Sequence, residues 1–269
     1  MSSHEDEALL LGRAGDRPMS KQMELVRACG AEFMATLLFV LVGVTAVRGN
    51  EVNEGVYVLP VALAHGLMIF LLVAMTANVS GGHINPAVSL GVFLAGEISF
   101  VRFILYFLFQ LLGATVGAAL ALGLNYDLEE VMYGSHHPNP LYSNGQAFGI
   151  EMFTTFMVVS TVLANAVDRK GFKSIAPLCI GLAVATGIMA SGKLTGGSMN
   201  PARSFGPAVI SLHGLGDYPN AQGKSYYSIY WSDQWIYFLG PLLGAGVASG
   251  IYRFILSSQH LKRLSINDS

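Results

Sequence analysis

Apolar residues cluster in six stretches, at about 28–47, 57–77, 100–123, 147–167, 174–191 and 233–256, separated by segments that carry most of the charge. A helix needs ~20 mostly apolar residues to cross a bilayer, and these stretches meet or approach that length. Two shorter apolar stretches, at 85–95 and 200–211, cannot cross. Each opens on the same triplet, Asn85-Pro86-Ala87 and Asn200-Pro201-Ala202. Each triplet also follows a Gly-Leu pair at the same distance, Gly66 before Asn85 and Gly181 before Asn200. Further matches relate Glu32-Phe33-Met34-Ala35-Thr36 to Glu151-Met152-Phe153-Thr154-Thr155, and Leu111–Ala114 to Leu242–Ala245.

The pattern therefore predicts an all-α membrane protein made of six transmembrane helices plus two re-entrant half-helices, arranged as an inverted internal repeat. Residues 1–23 form an N-terminal segment, 24–256 the membrane domain with halves at about 24–124 and 146–256, and 257–269 a C-terminal tail. Three spans per half reverse the second half in the bilayer, so the two half-helices enter from opposite faces and meet near the midplane.

Composition agrees. Hydrophobic residues make up 52% of the 269 positions and charged residues 12%, half the charge of an average soluble domain. Lys and Arg divide unevenly, with eleven on the side of the two termini and three on the other, which puts both termini in the cytoplasm. The N-terminal segment is too polar for a cleavable signal, so the first span directs insertion. A net charge of −2 gives no electrostatic footprint for nucleic acid. Cys29 and Cys179 lie in apolar segments and read as small buried hydrophobes. No cluster suits a metal or cofactor, and no activated nucleophile points to an enzyme.

An Asn followed by Pro starts a helix: the side-chain oxygen caps free N–H groups, and Pro occupies the position whose N–H has no partner. The Asn amide hydrogens then remain to face a pore, at the positive end of a half-helix dipole. Arg203 sits on the first turn of the second half-helix, and an arginine at membrane depth is costly enough to mark function. Glu32 and Glu151 are carboxylates inside spans. Loop support explains them better than a proton relay, and His83 belongs to the same loop support.

The paired Asn-Pro-Ala triplets, the run from Asn200 to Ala208 and the two helix glutamates resemble the aquaporins, or major intrinsic proteins, over about residues 24–256. The resemblance implies a passive water channel that excludes protons and ions, lies in a lipid bilayer and assembles as a homotetramer. It implies a selectivity filter of His65, Ile188, Gly197 and Arg203. That set is similar to the animal branch that passes ammonia and hydrogen peroxide, and partly to the plant vacuolar branch. Alone on an apolar helix, His65 reads as a core histidine, but its place beside Gly66 puts it at the pore. A neutral imidazole there offers ammonia an acceptor. Ser204, Ala208 and Tyr237 resemble the water-selective rather than the glycerol-conducting pattern, while Phe238 stands where Trp is common. The plasma membrane is the expected host, with an intracellular membrane as the alternative. A coupled secondary transporter of a small neutral solute, or a junctional protein with an occluded pore, would share the repeat.

Overall fold

A computed structural model describes residues 19–52, 55–127, 132–214 and 226–257; the first eighteen residues and the tail from 258 onward lie outside them. The helices, in chain order, are α1 (Lys21–Gly49), α2 (Val58–Thr76), α3 (Pro86–Leu94), α4 (Phe100–Leu124), α5 (Asn144–Val162), α6 (Ala176–Thr195), α7 (Pro201–Gly214) and α8 (Tyr226–Ile251). Among the described residues six segments are long and apolar enough to span a membrane: α1, α2, α4, α5, α6 and α8. The two short helices α3 and α7 begin at Pro86 and Pro201. The protein is thus an integral, multi-pass membrane protein.

Local signals set the helix starts. Ser20 accepts from the Met23 amide, and Ser99 from the Arg102 amide. Ser143 and Gln146 form a reciprocal capping box at the start of α5, which satisfies two otherwise unpaired donors. At the other end, α6 stops at Gly196 in the left-handed region (φ 87°). The π-helical turns Leu163–Val167 and Tyr252–Leu256 extend α5 and α8, and Tyr252 donates to the Asp168 carboxylate (3.2 Å) between them.

The spans are inside-out relative to a soluble helix. On α2, Leu59, Leu63, Leu67, Leu71 and Met75 recur every fourth residue and are all exposed, whereas His65, Gly66, Ile69, Leu72 and Thr76 are buried. Spacing of four keeps a set of side chains on one face. This exposed face of α2 is thus large and apolar throughout, while its buried face mixes His65, Gly66 and Thr76 with apolar Ile69 and Leu72.

Packing obeys the repeat. Within the halves α1 packs on α4 and α5 on α8; between them α2 packs on α6, α4 on α7 and α3 on α8. At the central crossing a methyl group on Gly66 would lie 2.6 Å from the Gly181 carbonyl oxygen, and one on Gly181 would meet the Gly66 carbonyl oxygen. Neither helix could come so close with side chains there. One continuous apolar core joins both halves, including Ala35, Leu72, Ile84, Ala87, Val159, Met199 and Ala202.

Candidate functional site

The half-helices α3 and α7 meet N-terminus to N-terminus. Asn85 Oδ1 accepts from the Ala87 amide (2.8 Å), and Asn200 Oδ1 from the Ala202 amide (3.0 Å). Each side-chain amide then crosses to the other half. Asn85 Nδ2 donates to the Met199 carbonyl oxygen (2.8 Å), and Asn200 Nδ2 donates to the Ile84 carbonyl oxygen (3.0 Å). A primary amide has two N–H groups, so each Asn keeps a second donor at the positive end of its helix.

The carbonyls that accept these bonds belong to Ile84 (φ 59°) and Met199 (φ 54°), both left-handed. A side chain there costs roughly 1–2 kcal/mol, and a β-branched residue such as Ile84 is a clear outlier. The two buried glutamates hold the strained turns in place. Glu32 accepts from the His83 amide (2.9 Å), the Ile84 amide (2.6 Å) and the Ser80 hydroxyl (2.6 Å). Glu151 accepts from the Ser198 amide (3.0 Å), the Met199 amide (2.7 Å) and the Thr195 hydroxyl (2.6 Å). Tyr106 and Tyr237 donate to the Ser80 and Thr195 carbonyls, both at 2.7 Å. The His83 ring faces the Ser89 hydroxyl through Nδ1 (3.1 Å) and sits edge-on to Tyr106.

One member breaks the symmetry. Gln110 donates to Glu32 (2.8 Å) and to Ser89 (3.0 Å), and its counterpart on α8 is Pro241, two residues before Leu243 as Gln110 is before Leu112. Sequence reasoning passed over Gln110, although a lone polar side chain in the apolar run Phe107–Leu112 was the available signal.

On one side of the Asn pair, a cavity of about 760 Å³ is lined by His65, Ile188, Gly197 and Arg203, together with Glu51, Lys193, Gly134 and His136. The four residues expected to form a filter, taken from both halves, therefore border one space. Gly197 (φ 68°) contributes only backbone. Arg203 is 3% exposed and donates from Nε to His65 Nε2 (3.1 Å) and from Nη1 to the Gly134 carbonyl oxygen (2.8 Å). These bonds take two of its five donors.

His65 is bonded through both ring nitrogens. Its Nδ1 lies 2.8 Å from the Val61 carbonyl oxygen, which can only accept, so Nδ1 carries the proton. In the neutral ring Nε2 is then the acceptor, and Arg203 occupies it. In this arrangement both ring nitrogens are engaged within the protein.

The 132–137 segment between α4 and α5 went unnoticed in the sequence. Met132, Tyr133 and Gly134 are three successive left-handed residues (φ 53°, 56° and 72°). They turn the chain inward, so that Tyr133, Gly134, Ser135 and His136 are buried and the Gly134 carbonyl reaches Arg203. From His136 a hydrogen-bonded run continues to the half-helix. Nδ1 lies 2.8 Å from the Ser204 hydroxyl, Ser204 lies 2.5 Å from the Ser198 hydroxyl, and Ser198 donates to the Asn200 carbonyl oxygen (3.0 Å). Burial, followed by the neighbouring Arg203 charge, holds the His136 imidazole well below its ordinary pKa, so it stays neutral.

Comparison with known proteins agrees with this architecture. Residues 19–252 match the family model described as major intrinsic protein. The chain is 40% identical over 241 residues to the "Probable aquaporin TIP2-2" of Oryza sativa subsp. japonica, covering 86% of this chain and 87% of that protein. It is 39% identical over 254 residues to the "Aquaporin PIP2-7" of Arabidopsis thaliana, covering 91% and 86%. The solved structure of the aquaglyceroporin from Plasmodium falciparum superposes with a TM-score of 0.74 at 25% identity, covering 86% of this chain and 97% of that one. The chain belongs to the major intrinsic protein family, the aquaporins, and is a passive transmembrane water channel.

Proposed function

We propose that the channel conducts ammonia and hydrogen peroxide as well as water, excludes protons and ions, and passes little glycerol. The observation that carries this reading is the outer constriction, where His65, Ile188, Gly197 and Arg203 border one cavity. No large aromatic side chain stands among these four. Gly197 adds no side chain, Ile188 adds an apolar wall, and the His65 ring is held by Val61 and Arg203. The guanidinium donors that remain are suited to a neutral solute with a lone pair, such as water, ammonia or peroxide, and its charge repels ammonium. The Asn85 and Asn200 amides give the second donor site, at the junction of the half-helices.

In this reading the protein works as a homotetramer in the plasma membrane, with an intracellular membrane as the alternative, and both termini are cytoplasmic. Chemical cross-linking tests the assembly, and fluorescent fusions test the location. Stopped-flow measurements on proteoliposomes test the permeants. Water, ammonia and peroxide should each cross faster than in empty vesicles, and glycerol should not. Joint substitution His65→Phe and Ile188→His should lower ammonia flux about tenfold more than water flux, the scale on which small changes in an apolar pocket discriminate. An ammonia-tight parent channel, or equal losses for both solutes, would refute the assignment.

A further inference from the structure

We propose that Gly43, on α1 and away from the cavity, is a specificity-determining position that acts through His65. Gly43 is buried and borders the His65 ring. A methyl group placed on it would lie 3.0 Å from both Cδ2 and Cε1 of that ring, and closer still to Nε2. All three approaches fall inside the 3.4 Å at which ordinary van der Waals contact begins. The ring has little freedom to yield. Nδ1 is bonded to the Val61 carbonyl, Nε2 accepts from Arg203, and Phe39 packs against it edge to face, with ring centroids 5.5 Å apart.

The atom that Gly43 spares is the one that orients the arginine. His65 and Arg203 line the cavity and Gly43 does not, although Val47 one turn on does, so the ring stands between Gly43 and the open space. A side chain at 43 would press the ring off α1 toward the cavity and pull Nε2 out of line with Arg203 Nε. The missing side chain at 43 therefore sets both the width of the constriction and the pose of its cation. This rests on the reading of His65 and Arg203 as the constriction that sorts permeants.

The test compares the parent channel, Gly43→Ala, His65→Ala and the double variant in proteoliposomes, with water, ammonia and methylamine as probes and flux divided by channel content. Gly43→Ala should lower ammonia and methylamine flux about tenfold relative to water. In the His65→Ala background the same substitution should leave the solute-to-water ratios unchanged, because the ring it displaces is gone. Equal loss of all fluxes in Gly43→Ala, or the same ratio change with and without His65, would assign Gly43 to helix packing alone and overturn the proposal. If Gly43→Ala fails to insert, recovery of insertion by added His65→Ala supports it, and failure in both backgrounds overturns it. If the parent channel proves tight to ammonia, the permeant reading falls by itself. Gly43 is then judged on water, which Gly43→Ala should slow only when His65 is present.

Discussion

Glu32 and Glu151 each accept from two successive backbone amides of a left-handed turn. Their oxygens take the amides of His83 and Ile84 on one side of the repeat and of Ser198 and Met199 on the other. An amide in place of the carboxylate would aim its own N–H groups at a backbone N–H. A buried donor left unpaired costs about 1–3 kcal/mol. Glu32→Gln and Glu151→Gln should therefore each lower the melting temperature of the detergent-solubilised channel by several degrees, and reduce water and ammonia flux in proportion to the folded protein lost. The ratio of the two fluxes should not move. A fully stable variant with a changed ratio, or with a changed proton conductance, would show a direct role in permeation.

The central pair of helices illustrates why small residues recur at matched places. α2 and α6 cross where Gly66 and Gly181 present their carbonyl oxygens to each other. Gly66→Val and Gly181→Val should each prevent recovery of folded channel, whereas Gly30→Ala, which meets nothing within 4 Å, should be silent; normal yields of the valine variants in a folding assay would contradict this. The helices themselves were largely legible in the sequence. Hydropathy reports contact with lipid, so it marks spans better than helix ends. The stretch expected from 28 starts at Lys21, because Ser20 caps a polar first turn outside the apolar run. The stretch expected to end at 191 continues to Thr195 through Gly192 and Lys193, until Gly196 reverses the backbone. The two Asn-Pro-Ala starts were legible because capping is local chemistry. The Met132–Gly134 turn was not, because three left-handed residues in a row follow from what the fold pulls inward and have no short-range signature. The bond between His65 and Arg203 joins residues 138 positions apart. Sequence pattern placed both at the pore and could not say that each would satisfy the other.

At the scale of the whole molecule, two half-helices point their positive ends at one junction, and an unpartnered arginine charge stands beyond it; among the described residues Arg203 has no carboxylate within ion-pair distance. On the proposed reading, water at the junction would accept from the remaining N–H of each Asn, turn its own hydrogens outward on either side and interrupt a proton wire. A planar bilayer holding the channel should show high water permeability and no ionic current; a steady proton conductance from the unsubstituted protein would refute this. The crossed bonds of Asn85 to Met199 and of Asn200 to Ile84 also bear on how the channel is made. Neither asparagine amide finds its carbonyl partner within its own half. While a ribosome is still adding the second half, the first has helices but no finished passage. The conducting path closes into shape only after the last quarter of the chain has begun to enter the bilayer. A growing chain therefore gives the membrane no premature leak, and a truncated product that stops between the halves is a silent one.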